Sequence, residues 1–401
     1  MTTKINNEHN KLNVPNLRFK EFEGEWEETK IGDIAIVVGG GTPDTNTSQY
    51  WNGKIQWFTP SEIGRNKYVY NSVRTISEDG LNKSSAKLLP IGTILLSSRA
   101  TVGECSINKK ECTTNQGFQS LIPKENISNE FVYYLIQTKR KDLIRKSCGS
   151  TFLEISANEV RKIVVSIPTI KEQDKIAKLL SLLDERIATQ NKIIDKLQSL
   201  IKGINQRVFM NNGINYKLGE ICEIRSGYSG NQLLSKKGLK VSRIETISGH
   251  KVNIERVGYV APFESSDNYR LRVGDILFSN INSVEYIGNT AFIDKDYNLY
   301  HGMNLLRLTP NNMVVIPFYL YLLLNTNRML NRFKTVCNKA VSQASINQTE
   351  LGKAVVQIPD INAQKQICEL YQALYDKLES EKYANSLFQK QKQYLLRQMF
   401  I

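Results

Sequence analysis

One stretch of this chain occurs twice. "EVRKIVVSIPTIKEQDKIAKLL" (Glu159–Leu180) and "ELGKAVVQIPDINAQKQICELY" (Glu350–Tyr371) share ten of 22 residues at an offset of 191. The match extends in order along both halves. "ETKIGDIAIVVGGGTP" (Glu28–Pro43) answers "NYKLGEICEIRSGYSG" (Asn215–Gly230), with Gly32 over Gly219. "LPIGTILLSSRATVGE" (Leu89–Glu104) answers "LRVGDILFSNINSVEYIG" (Leu271–Gly288), with Gly92 over Gly274 at an offset of 182. "NQGFQSLIP" (Asn115–Pro123) answers "YHGMNLLRLTP" (Tyr300–Pro310), and "EFVYYLIQT" (Glu130–Thr138) answers "PFYLYLLLNT" (Pro317–Thr326). The drift of the offset between 182 and 191 means that insertions fall between the blocks, chiefly in 40–90 and 227–272. Surface segments accept such changes and packed elements resist them. A period near 190 is far too long for a solenoid, so the chain is a duplicated domain with divergent loops.

Within each copy, short β-branched runs bounded by Gly, Pro, Asn and Ser ("DIAIVV", "GTILLSS", "GDILFSN", "TAFIDK") are expected to be strands. "NEFVYYLIQTKRKDLIRKS" and "PFYLYLLLNTNRMLNRFK" have helical spacing and read as one basic-ended helix each. A strand, "KIVVSIP" or "KAVVQIP", closes each copy, which gives an α+β domain. "GGGTPD" from Gly39 lacks a phosphate-loop ending and reads as a glycine turn between strands.

After each closing proline stands a candidate N-cap, Thr169 or Asp360, and Thr169 with Glu172 spells a capping box. A heptad then runs through Ile176, Leu180, Leu183, Ile187, Gln190, Ile194, Leu197, Ile201, Ile204 and Val208. The second copy is more polar: Ile367, Tyr371, Leu374, Leu378, Glu381, Asn385, Phe388, Lys392, Leu395, Met399. Gln190 and Glu381 coincide at the 191 offset, and a polar residue on such a seam fixes register. Helices of this length span about 57 Å. The expectation is an antiparallel coiled coil with pseudo-twofold symmetry, and the alternative is two helices each packed on its own domain. The expected boundaries are 17–168 and 214–359 for the two globular domains, with long helices at 169–210 and 360–401.

With 53 Lys+Arg against 39 Asp+Glu, the net charge of +14 favours a polyanionic partner. The first seventeen residues lack the apolar core of a signal peptide. The longest apolar run, Val314–Leu324, is too short to span a bilayer and contains Pro317. Six cysteines without CxxC or disulfide spacing read as cytosolic thiols, so a cytoplasmic location is expected. His9, His250 and His301 have no ligand spacing, and no GxSxG or Cys/His pair marks a nucleophile. The expectation is a chain without catalytic or metal residues, which binds and positions.

Two units of about 190 residues, each ending "IP(T/D)I…(E/A)Q…I" before a long helix, resemble the specificity (S) subunit of type I restriction–modification enzymes. "KIGDI", "GTILLSSRATVGE" and "NQGF" add to the likeness, which covers nearly the whole chain from residue 17. The resemblance implies two target recognition domains, each reading one half of a split, asymmetric duplex DNA site. It implies that the paired helices set the spacer and dock two methyltransferase (M) subunits, joined by restriction/translocase (R) subunits. It implies no cofactor in this chain, with S-adenosylmethionine, ATP and Mg on the partners. The copy departs from the pattern at "YHGM", which stands where the first has "NQGF".

Half-sites of different sequence require different readers, so the loops that differ between copies supply the DNA-contact candidates. In the first copy these are Thr42, Ser61, Arg65, Ser98, Arg99 and Thr101. In the second they are Tyr228, Ser229, Arg243, Asn280, Asn282 and Ser283. Arg99 and Arg243 stand out because a guanidinium can take guanine O6 and N7 together. Candidates for helix pairing and partner docking are Ile176, Leu180, Leu183, Ile187, Gln190, Ile194, Leu197, Ile367, Leu374, Leu378 and Glu381. Lys139, Arg140, Lys141, Arg145 and Lys146 read as a basic helix face, either solvated or in contact with phosphate or partner. A stand-alone duplicated DNA-binding regulator, an interaction scaffold and an enzyme with an unrecognised site are the competing readings.

Overall fold

The computed structural model describes residues 13–149, 153–209, 213–339 and 343–401, so His9 and the end of the expected first helix at 210 lie outside the described residues. The chain divides into two compact units: residues up to Asn191 together with Ala384–Ile401, and Lys192–Tyr383. Each long helix is thus shared. Its first half belongs with the domain before it, and its second half with the other unit.

In the first unit, strand Glu27–Lys30 pairs antiparallel with Val164–Ile167, so the beginning and end of the globular domain are tied by one ladder. A five-stranded sheet follows in the order Ala35–Gly39, Gln119–Pro123, Ile94–Leu96, Cys105–Asn108, Tyr68–Val69. One face packs with α1 (Asn129–Thr138), whose Phe131 and Tyr134 are fully buried beside Trp26, Ile94 and Leu121. Val38, Leu95, Phe118 and Ile122 lie in a second cluster with Phe58 and Leu89. A smaller sheet joins Arg74–Ile76 and Trp51–Phe58 of the 40–90 insertion to Cys112–Thr114, and Trp51 is buried edge-on to Trp57 at 5.1 Å.

The second unit repeats the frame. Ile214–Lys217 pairs with Val355–Ile358, and a sheet runs Cys222–Ser226, Leu306–Pro310, Ile276–Phe278, Thr290–Phe292. Arg225 stands opposite Arg307 as Val38 stands opposite Ser120, so the register itself is conserved at an offset of 187. Over 227–272 the first unit's small sheet is replaced by a two-stranded pairing, Leu239–Val241 with Gly258–Val260. The sequences drift apart where the secondary structure itself differs.

The apolar runs after the sheet form two helices each, not one. In the first unit α1 stops at Thr138 and a second helix covers Arg140–Arg145. In the second, α3 (Pro317–Leu324) stops before Thr326, whose side chain accepts from Met329 N and starts the helix Asn327–Val336. A capping threonine competes with helix continuation, which periodicity alone does not register.

The long helices are α2 (Ile170–Val208) and α4 (Ile361–Gln398), of 39 and 38 residues. Their segments pair antiparallel within each unit. In the first, Asp184 meets Lys392 at 2.6 Å, Asn385 donates to Asn191 at 2.8 Å, and Arg186 lies over Phe388. In the second, Tyr371 OH bonds Asn205 Oδ1 at 3.3 Å and Phe209 packs on Tyr371. The heptad positions face inward. Ile176, Leu180, Leu183, Gln190, Tyr371, Leu378 and Met399 are buried, whereas Ile187, Ile194, Leu197, Ile367, Leu374 and Glu381 are half-buried.

Both joints turn on a glutamine. Gln173 accepts from Ser128 N at 3.0 Å and donates to Pro168 O at 2.9 Å. Gln364 accepts from Ile316 N at 2.8 Å and donates to Val314 O and Pro359 O. Each thereby locks the start of a long helix to the N-terminus of α1 or α3 across the core. Asp360 caps α4 through Asn362 N and Ala363 N, both at 3.0 Å. The capping box expected at Thr169 is corrected. Glu172 is buried and gives both carboxylate oxygens to Arg18 at 2.8 Å, a stronger partner than a backbone N–H.

Candidate nucleic-acid interface

In the first unit the candidates gather on a hairpin tip. Strands Ile94–Leu96 and Cys105–Asn108 are closed by Ser97 N to Glu104 O at 2.8 Å and Gly103 N to Ser97 O at 3.1 Å. The tip docks on its neighbours through Ser98 N to Gly117 O, 2.8 Å, and Ile155 N to Ser98 O, 3.0 Å. Thr42 donates to Gln116 on that same 115–118 turn, and Ser61 follows Pro60, whose ring rests on Gly117. Thr42, Ser61, Ser98, Arg99 and Thr101 are therefore assembled from three separate segments around the 115–118 turn. Arg65 stands apart, exposed beside Gly64, on a cleft of about 960 Å³ that Lys67, Arg140 and Lys392 also line.

Gly40 explains part of the glycine run. A Cβ there would lie 2.0 Å from Asn115 O, and its equivalent Gly227 would place one 1.9 Å from Gly302 O. Both glycines let the first sheet strand run up against the turn that carries the site.

Not every candidate is free to reach DNA. Ser98 is fully buried, and its role as a reader is corrected: its backbone holds the tip in place and its side chain faces inward. Thr101 is exposed and bonded to Ser97 Oγ at 3.0 Å. Arg99 is half-exposed, and its Nη2 donates to both oxygens of Glu154 at 2.8 Å. That pairing occupies the Nη2 shared by both two-donor edges of the guanidinium and leaves the Nε–H and Nη1–H groups as separate donors. Of the basic helix face, Arg140 pairs with Glu104, Arg145 with Asp142, and Lys139 donates to Ile401 O.

The second unit closes its tip with the same two bonds, Ser279 N to Asn289 O at 2.8 Å and Gly288 N to Ser279 O at 3.0 Å. Eight residues separate Ser279 from Gly288 where five separate Ser97 from Gly103. Asn280 bonds the Ile346 backbone, with Nδ2 3.3 Å from its carbonyl. Asn282 donates to Ser279 Oγ at 3.1 Å and accepts from Ser283 N at 2.8 Å, so both tip asparagines shape the loop, while Ser283 is exposed. A second group surrounds the 300–302 turn. Tyr228 N donates to His301 O at 2.9 Å, and the Tyr228 ring stacks on Phe263 at 3.8 Å with Tyr269 edge-on at 5.5 Å. Ser229 and Arg243 are exposed beside it, the Arg243 Nε 3.6 Å from Glu245. His301 is buried and its pKa is pushed down to about 4, chiefly by desolvation, so it is a neutral imidazole donating to Leu305 O at 3.0 Å.

Sequence reading missed Glu154, Gln116, Phe263 and Tyr269. Gln116 lay within the quoted "NQGF" block, but nothing local marks a Glu that becomes a partner 55 residues away. Among the described residues no cluster of three or more His, Cys, Asp and Glu could hold a metal ion. No described helix is long and apolar enough to cross a membrane.

Comparison with known proteins matches this architecture twice. The profile of the type I restriction modification DNA specificity domain fits residues 23–199 and 213–386. The MjaIX specificity subunit of Methanocaldococcus jannaschii is 36% identical over 52% of this chain and 54% of its own. The EcoR124I/EcoR124II specificity subunit of Escherichia coli is 33% identical over 42% of this chain and 43% of its own. The chain thus spans about half the length or less of these curated relatives in the matched stretches. The crystal structure of the S subunit of a type I restriction-modification system from M. genitalium superposes with a TM-score of 0.59 at 17% identity. That likeness covers 97% of this chain and 99% of the other, and at this identity it bears on the fold alone. The chain belongs to the family of the type I restriction modification DNA specificity domain and carries that domain twice.

Proposed function

We propose that each unit reads one half of a split, asymmetric DNA target. The paired helices hold the two readings at a fixed spacing and dock two methyltransferase subunits, with restriction/translocase subunits joining the assembly. The observation that carries this reading is the hairpin tip. The two units close it with the same pair of backbone bonds, yet span it with five residues in one and eight in the other. One scaffold presenting unlike loops suits a duplex whose two half-sites differ. The chain supplies recognition; S-adenosylmethionine, ATP and Mg act on the partners, and no residue here is assigned a catalytic role. The net charge of +14 adds the sequence-independent attraction to phosphate that such reading needs.

The test is adenine methylation sequencing in a host expressing this chain with its neighbouring methyltransferase. The expected result is one bipartite motif with a fixed gap. Absence of any motif that depends on the chain contradicts the proposal. A gel shift run alongside separates the rival: tight, specific binding by the chain alone supports a stand-alone regulator.

A further inference from the structure

The second unit carries a cleft beside the sheet strands Cys222–Ser226 and Leu306–Pro310. It measures about 320 Å³ and is lined by Arg225, Arg272 and Arg307 with Glu223, Asp275 and Thr309. Arg307 is only 8% exposed, and its Nε is buried without a hydrogen-bond partner. Among the described residues its one side-chain bond is from Nη1 to Arg270 O at 3.2 Å. Among the described residues no carboxylate forms an ion pair with it. Of the three acids on the cleft, Asp275 accepts from Arg272 N and Thr309 Oγ1, Glu223 accepts from Arg225 Nε at 2.7 Å, and Asp267 is exposed to solvent. Arg225 also sits directly across the ladder from Arg307, a like-charge pair in register. A buried, unpaired guanidinium facing a second one is costly on both counts. The equivalent positions in the first unit, Val38 opposite Ser120 with Ile122 beyond, belong to a face filled by apolar packing. The arginines were therefore not required by the fold.

We infer that this cleft is a binding site for a phosphate-type oxyanion, held by Arg307 with Arg225 and Arg272 at the rim. A tetrahedral oxyanion would pair the charge of Arg307 and screen the two guanidiniums from each other, which a planar fork of donors does well. Two sources share that chemistry, a backbone phosphate of a nucleic acid and a free phosphate compound. The inference stands on the cleft alone and does not require the DNA reading.

The experiment has two arms. In the first, inorganic phosphate is titrated into the full chain by calorimetry against chloride at matched ionic strength. One saturable site is expected, weakened roughly tenfold or more by Arg307→Met. Arg225→Ala, on the exposed rim, is expected to weaken it too, and it keeps the test decisive if Arg307→Met does not fold. In the second arm, the salt dependence of duplex binding is measured for the chain assembled with its methyltransferase. If a backbone phosphate is the occupant, Arg307→Met lowers the slope of log K on log salt by about one. A free phosphate compound as occupant leaves that slope unchanged while the first arm holds. Phosphate binding that is absent, or equal in wild type and both variants, together with an unchanged slope, overturns the inference.

Discussion

Removing the joint glutamine of the first unit should loosen that unit and leave the second untouched. Gln173 is 1% exposed and connects Ser128 N–H, at the N-terminus of α1, to Pro168 C=O, just before α2. Gln173→Met keeps the volume and deletes both bonds. Each buried backbone group left unmet costs about 1–3 kcal/mol. Two such groups, partly relieved by relaxation, give about 3 kcal/mol, on the order of 150-fold in the local opening constant. The assay is hydrogen exchange by mass spectrometry on the full chain, since two units preclude a single unfolding free energy. Exchange in Asn129–Thr138 should rise by that factor while Pro317–Leu324 is unchanged. Gln364→Met should do the reverse and more strongly, because it strands three backbone groups: Ile316 N, Val314 O and Pro359 O. A change below about threefold, or an equal rise in both units, would refute the view that these glutamines lock helix to domain.

Arg99→Ala should relax or weaken one half-site only, read by methylation sequencing, and Glu154→Gln should shift the same half-site because Glu154 holds Nη2; equal change in both half-sites rejects the assignment. Deleting one heptad from α2 should change the spacer and preserve both half-sequences, and an unchanged spacer argues against the helices as a ruler. His301 titrates near pH 4 when folded and at the ordinary histidine value when unfolded, so the unfolded chain binds more protons between them. Stability of the second unit should therefore fall as pH drops from 6.5 to 4, by roughly 3 kcal/mol, and His301→Asn should flatten that part of the profile. A variant as pH-sensitive as wild type shows that other groups carry it.

Much of the frame was legible because the chain states it twice. Val37 and Ile224, or Leu121 and Leu308, recur at one offset because both sheets demand the same buried neighbours in the same register. The heptads were legible for a similar reason: Leu180, Gln190 and Tyr371 face inward at a spacing that local sequence spells out. What escaped was non-local. The Arg99–Glu154 pair joins residues 55 apart, and Glu172 left its capping box for an arginine 154 residues upstream. The strands in 51–76 answer only to the shorter pair Leu239–Val241 and Gly258–Val260, with no matching sequence block, so repetition could not flag them. Ser98 looked like a surface serine on a divergent loop, yet it is the anchored root of that loop, and sequence divergence alone cannot tell root from tip.

The division of labour between the two units is tested most directly by making them the same. Replacing residues 27–168 with 214–359 keeps the equivalent joints at Pro168 and Pro359, retains the Arg18 partner of Glu172 and leaves both long helices intact. Adenine methylation sequencing of the reassembled complex should then show a symmetric target, the second unit's half-sequence on both sides of the original spacer. A folded, active complex that still methylates the original asymmetric motif, or one whose new half is unrelated to the old, would contradict one reader per half-site.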